Sequence, residues 1–348
     1  MRVSEHKQSE KVRLPKLAWI LIGVSIAILG AIGSCALWLY VYATTPAPKL
    51  ENETVTIFIP RGMPTTEIIS ELADSQLIRQ DLRLFILMKY HQNELNLQAG
   101  EFALHTNQTP IALLKELSTA RPVEYQITLP EGFTVEETAA LFAQQGWADS
   151  QRFVQLCYDP TFIAELELPE VASLEGYLFP DTYNFKKPRI SEERLIKMLV
   201  DRSTKVYQQL VENQQRSTAL TRHQIYTLAS IVEKESAQDA EREIIASVFL
   251  NRLKKKMRLQ SDPTVYYGLG MPKRKLTRKD LADQSPYNTY VIKGLPPGPI
   301  CSPGAASLVA VLSPAETDYY YFVAKNDGSH QFSKNLSDHN RAVRKYQR

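Results

Sequence analysis

Residues 17–43, LAWILIGVSIAILGAIGSCALWLYVYA, run without a single charged side chain. A bilayer core takes roughly 20 apolar residues in a helix, so this segment is long enough to span with some tilt. Trp19 near one end and Trp38, Tyr40 and Tyr42 near the other fall where aromatic side chains belt the two interfaces. The preceding residues carry Arg2, Lys7, Lys11, Arg13 and Lys16 against only Glu5 and Glu10. By the positive-inside rule the tail 1–16 is expected in the cytoplasm and everything beyond Thr44 outside it. The alternative, a cleaved signal peptide, has a shorter apolar run of about 7–15 residues and a small-residue cleavage site. Ile32-Gly33-Ser34-Cys35 loosely matches a lipoprotein site, yet the run continues through Ala36-Leu37-Trp38-Leu39. A single-pass anchor in the plasma (inner) membrane with an extracytoplasmic or periplasmic body is expected.

The rest of the 348 residues is long enough for two or three domains. Hydrophobic content of 44% and charged content of 23% exclude wholesale disorder. A formal net charge of +3, with no basic run interleaved with aromatics, points to no nucleic-acid partner. Lys254, Lys255 and Lys256 read as the solvated end of a helix. Of the three cysteines, Cys35 lies in the span, which leaves Cys157 and Cys301 outside, where a disulfide can form. The chain has no CxxC spacing, and His330 and His339 lack metal-ligand spacing; no metal or cofactor is expected.

Thr44-Thr45-Pro46-Ala47-Pro48 reads as a short stiff linker. Beyond it the sequence echoes itself at a period of 70: VTIFIPRGMPTTEIISELA (55–73) aligns with YQITLPEGFTVEETAALFA (125–143). Pro60, Gly62, Glu67 and Ala73 match Pro130, Gly132, Glu137 and Ala143. Each copy begins with strand alternation, turns at Pro-x-Gly and starts a helix with Thr near its N-cap. Two copies make small α/β modules rather than a solenoid. The first copy continues into a helix, a strand around Glu101–Leu104 and a helix from Pro110, a β-α-α-β order that resembles a LysM-like module. A plain spacer is the alternative. From Ser173 the character changes. LEGYLFPDTYNF (174–185) should be ordered loop or short strands, followed by helices near 191–215, 221–237 and 239–256. A strand pair about Asn326-Asp327-Gly328 and a last helix near Ser337 follow, an α+β arrangement.

Glu233 and Glu235 sit at the end of the helix that starts with the Thr221-x-x-Gln224 capping box. Ile225, Leu228, Ala229 and Val232 form one stripe, with Glu235 within roughly 60° of its centre and Glu233 about 100° or more away. Desolvation on that stripe raises a carboxyl toward neutrality and makes a general acid of it. Two solvated surface acids are the other reading of the same residues. Asp239 is expected to cap the next helix, and Asp262-Pro263 fits an N-cap followed by Pro at N1.

Together, LASIVEKES (228–236), Asn251-Arg252-Leu253, LQSDPTV (259–265), Tyr287-Asn288-Thr289-Tyr290, GLPPGPI (294–300), YFVA (321–324) and LEGYLFPDTY (174–183) resemble the MltG (YceG-like) family of endolytic murein transglycosylases. The resemblance implies a mixed fold of α+β class. A cytoplasmic tail (1–16) would precede one transmembrane helix (17–43), a small LysM-like α/β module (44–120), a second small α/β segment (121–172) and a catalytic domain (173–348) with a lysozyme- or transglycosylase-like catalytic helix. It implies cleavage of the MurNAc-GlcNAc bond in nascent peptidoglycan with 1,6-anhydro-MurNAc ends. A Glu followed by Ser or Thr is the catalytic acid in that family, which selects Glu235. Glu175, Tyr177, Ser236, Asn251, Asp262, Tyr287, Asn288 and Tyr290 are then candidates for substrate binding, with Tyr177, Phe179 and Tyr183 as sugar platforms or core aromatics. Expected partners are glycan strands, the bilayer through residues 17–43 and peptidoglycan synthases. A water-using muramidase with Asp262, Glu175 or Glu233 as second carboxylate, and a non-catalytic wall-binding scaffold, stay open at this level.

Overall fold

The computed structural model describes residues 16–46, 53–79, 81–90, 98–168, 170–213 and 218–347. The expected cytoplasmic tail, except Lys16, and the Ala47-Pro48 end of the expected linker lie outside them. The chain forms two compact units, one within Met1–Glu124 with Lys186–Pro188, the other Tyr125–Phe185 with Arg189–Arg348.

The first unit starts with α1 (Lys16–Thr44), whose apolar side chains are exposed along nearly its whole length. Then come β1 (Thr54–Ile59), α2 (Thr65–Asp74), α3 (Leu82–Tyr90), β2 (Gly100–His105) and α4 (Pro110–Thr119). β1 pairs antiparallel with β2, Thr54 opposite His105 and Ile59 opposite Gly100. Alternation turns Ile57 and Ile59 inward, onto a core with Leu72, Leu84, Phe102, Leu104 and Leu113. Thr109 caps α4 and Pro110 occupies its first turn. The last turn of α1 buries Tyr42 and Ala43 in this core, so the helix end packs on the unit.

The second unit contains β3 (Tyr125–Thr128), α5 (Val135–Gln144), α6 (Ser150–Cys157), α7 (Pro160–Glu165), β4 (Thr182–Phe185), α8 (Glu192–Glu212), α9 (Arg222–Glu235), α10 (Arg242–Lys254), α11 (Asp262–Gly268), α12 (Arg278–Leu281), α13 (Ala305–Leu312), β5 (Tyr321–Ala324), β6 (His330–Ser333) and α14 (Leu336–Tyr346). β3 pairs antiparallel with β4, Tyr125 opposite Phe185, and β5 with β6 across the Asn326–Gly328 turn. The boundary expected at residue 172 therefore falls inside one packed body. Ile127, Phe142 and Phe153 share a core with Leu178, Leu199, Leu228 and Leu308, so residues 121–172 are not a separate module from Tyr125 onward.

The repeat survives as local geometry. Gly62 and Gly132 turn at φ +77° and +78°, conformations that disfavour a side chain. The helix starts differ: Thr134 and Glu137 form a capping box on α5, whereas Pro64 stands at the N-cap of α2 with no side-chain cap. α9 begins at the expected Thr221–Gln224 box. It is not a one-sided amphipathic helix, however. Ile225 through Val232 are all buried, because α10, α11 and α13 pack around it.

Candidate active site

Glu235 is the last residue of α9 and is half-buried. Ser261 Oγ donates to its Oε1 at 2.7 Å. Ser261 occupies the N-cap of α11, yet its side chain makes no capping bond; Asp262 is the first helical residue, not the cap. A small network holds Ser261 in place. Its backbone N–H donates to Thr289 Oγ1 at 2.9 Å, Thr289 and Thr264 hydroxyls meet at 2.9 Å, and Thr264 Oγ1 donates to the Ser261 carbonyl at 2.7 Å. Beside it, Tyr290 donates its hydroxyl to Asp262 Oδ1 at 2.6 Å.

Burial pushes the Glu235 carboxyl up to about 7; the Ser261 hydrogen bond and the charges of His330 and Lys273 oppose this, and the Asp262 carboxylate adds to it. The C-terminal end of a helix carries partial negative charge, which acts in the same direction as burial. Ser236 Oγ donates to the Gln238 carbonyl at 3.0 Å and so shapes the turn that follows. Asp239 does not cap α10: it opens a short 3-10 turn, and its carboxylate accepts from Arg242 instead.

Glu233 is buried, with only 7% of its side chain exposed. Its Oε2 accepts the Gly304 N–H at 3.0 Å and the Ser307 hydroxyl at 2.8 Å, and its Oε1 lies 3.3 Å from Arg242 Nη2. A carboxylate at the N-terminus of α13 faces free amides and the positive end of the helix dipole. Glu233 therefore joins α9, α10 and α13. Helical spacing placed it away from the apolar face; the all-round packing of α9 puts it inside.

Of the expected substrate-binding residues, the structure brings Asp262, Tyr290 and Ser236 to Glu235. The others lie elsewhere. Tyr177 is 1% exposed, stacked on Tyr226 at 4.7 Å between ring centroids, with its hydroxyl 3.0 Å from His223 Nδ1. Phe179 and Tyr183 are likewise buried, so these three aromatics are core and offer no face to a sugar. Asn288 is buried; its amide donates to the Asp283 carbonyl at 2.7 Å and it pins its own loop. Asn251 donates to the carbonyls of Thr317 and Tyr319 at 2.8 and 3.1 Å, tying α10 to the segment before β5.

Glu175 is buried beside α5, where its Oε2 accepts from the Val135 N–H at 3.3 Å and the Tyr267 hydroxyl at 3.2 Å. Burial pushes its carboxyl up to about 8, and Oε1 has no partner among the described residues. Tyr287 packs its ring 4.8 Å from Tyr267, in that same cluster. Cys157 and Cys301 are both buried free thiols, not a disulfide.

Sequence reasoning passed over Ser261, Thr264 and Thr289, whose roles depend on partners 25 to 28 positions away. It also passed over His330, noted only for its lack of metal spacing. His330 Nδ1 lies 2.7 Å from Glu241 Oε2, the His330 backbone N–H donates to Glu241 Oε1 at 2.9 Å, and its charge acts on Glu235. Arg252 was passed over as well: it is buried, donating to the carbonyls of Tyr320 at 2.6 Å and Leu259 at 2.7 Å, and thereby ties the segment before β5 to the one leading into Ser261.

The profile described as the YceG-like family matches residues 57–345. This chain belongs to the YceG-like family. A Bacillus subtilis protein named endolytic murein transglycosylase is 38% identical over 315 residues, covering 86% of this chain and 87% of the relative. A Streptococcus pneumoniae protein of the same name is 32% identical, covering 92% of this chain but only 63% of its own greater length. Among solved YceG-like structures, a crystal structure of the Listeria monocytogenes protein aligns with TM-score 0.57 and 36% identity, covering 83% of this chain and 98% of that one.

Proposed function

We propose that this chain is an endolytic lytic transglycosylase anchored through α1, cutting the MurNAc-GlcNAc bond of nascent peptidoglycan with Glu235 as sole acid and base. The observation that carries the reading is a half-buried carboxyl at a helix end, held near neutrality by burial and oriented by Ser261. Such a group is protonated often enough near pH 7 to give its proton to a departing glycosidic oxygen, and ionised often enough to take one back. The acceptor chemistry needs no second protein carboxylate. The 6-hydroxyl of the muramic acid residue attacks its own C1, Glu235 takes the hydroxyl proton, and a 1,6-anhydro end results. Because the nucleophile belongs to the same sugar, its effective concentration is high.

Asp262, Tyr290 and Ser236 line the same acid and are the residues best placed to position the sugar. The β-α-α-β unit before residue 124 is then a LysM-like glycan-holding module, and the anchor keeps the acid near newly made strands. Synthases that make those strands are the natural partners.

The experiment is Glu235→Gln in the full chain, assayed on purified glycan. Loss on the order of 10²–10⁴-fold in anhydro ends, with the melting temperature kept, is expected for a general acid. Full activity in that variant refutes the assignment. The second carboxylate beside Glu235, Asp262, also suits a water-using muramidase; its product is heavier than the anhydro product by one water, so mass spectrometry separates the two. Binding without turnover in the wild-type chain would instead identify a scaffold.

A further inference from the structure

α3 is apolar on two faces. Its sequence, LRLFILMKY, has only Arg83 and Lys89 as charged residues. Leu84, Leu87 and Met88 point into the core of the first unit. The other side carries Leu82, 69% exposed, Phe85 and Ile86, each 38% exposed, and Tyr90, 81% exposed. Spaced i, i+3, i+4 and i+8, these four fall on one side of the helix, with Lys89 among them. A surface helix ordinarily turns polar residues outward. An apolar face left outside, interrupted only by Lys89, marks a surface that meets another apolar phase.

The placement of α3 identifies that phase. α3 packs against the end of α1. Arg83 Nη1 donates to the Trp38 carbonyl at 3.5 Å, and the guanidinium lies 5.0 and 4.5 Å from the Trp38 and Tyr42 ring centroids. The Tyr42 hydroxyl donates to the Arg79 carbonyl at 2.9 Å. Trp38 and Tyr40 stay largely exposed on α1. Counting from Leu17, the roughly 20 residues that a bilayer core requires end just before Trp38, so Trp38–Tyr42 fall in the interface. α3 leaves α1 at that level.

We infer that the outer face of α3, built from Leu82, Phe85, Ile86 and Tyr90, lies in the headgroup–acyl boundary of the bilayer as an interfacial helix continuous with the membrane span. Lys89 suits this position, since its stem packs with the stripe while its ammonium reaches anionic headgroups. The first unit is then seated on the membrane by two elements that hold each other, not hung from one. The inference rests on the reading of α1 as an anchor.

The test is depth-resolved quenching on the full chain in liposomes containing anionic lipid. In a Cys35→Ser background, an environment-sensitive fluorophore is placed by Leu82→Cys, Tyr90→Cys or, in the anchor, Ile28→Cys; Cys157 and Cys301 are buried. Spin-labelled lipids then quench from shallow or deep acyl positions. Expected are strong loss of fluorescence at 82 and 90 with the shallow label and at 28 with the deep label. Quenching at 28 but at neither α3 position overturns the inference and leaves the anchor standing. No quenching at any of the three refutes the anchor itself. If the α3 probes escape lipid but cross-link between copies, the face is a self-association surface and the inference fails.

Discussion

Replacing Ser261 with alanine takes one hydrogen bond from Glu235 and little else. The Ser261 backbone keeps its bonds to Thr289 and Thr264, and the hydroxyl caps no helix, so the fold should tolerate the change. The hydroxyl donates at 2.7 Å to Glu235 Oε1 and so favours the ionised carboxylate. Removing it must raise a carboxyl that already sits at about 7. A hydrogen bond to a charged acceptor contributes about 1.5–3 kcal/mol, and about 1.4 kcal/mol corresponds to one pH unit. Glu235 is half-buried, so water replaces part of the loss and the lower end of that range applies: about one pH unit upward. For the first proton transfer Glu235 must be protonated, so activity is lost as pH rises through its folded value. The alkaline limb of kcat/KM for anhydro-end formation, which reports the free enzyme, should lie near the wild-type carboxyl value and move about one unit higher in the variant. A limb that stays put or moves to lower pH, in a protein with unchanged melting, would refute the reasoning.

Two further perturbations test the frame around that acid. Glu233→Gln takes one carboxylate from Arg242, which keeps Asp239 and Glu131, and leaves a neutral acceptor for the Gly304 N–H and the Ser307 hydroxyl; losing the charge from those hydrogen bonds costs about 1.5 kcal/mol, to be read as a fall in melting temperature while the alkaline limb stays where it is. An unchanged melt would show that Glu233 does not brace the helices. Gly176→Ala places a methyl 2.4 Å from Pro299 Cβ at a φ of +82°. Left-handed backbone and a clash with a rigid ring together cost on the order of 3 kcal/mol; a denaturation midpoint within error of wild type would contradict the packing described for that loop.

Features written along the chain were legible without a structure. A charge-free run of this length, the Thr221–Gln224 capping box and the Pro-x-Gly turns depend only on neighbours a few positions apart, and the turns recur with φ near +78°. Sequence also ranked Glu235 above Glu233, but by a stripe that the folded helix does not have. α9 is enclosed over Ile225–Val232, so no such stripe separates the two acids. Their partners do. Glu233 meets Gly304 and Ser307, more than 70 positions on, and becomes a buried brace, while Glu235 meets Ser261 and stays half-open beside Asp262 and Tyr290. The same distance explains why Tyr177 proved to be core, why Asn288 pins a loop and why residues 125–128 belong with β4. Propensity and capping act within a turn or two and are set by the sequence alone. The desolvation and hydrogen bonding that tune a carboxyl come from residues brought together only when the chain has folded.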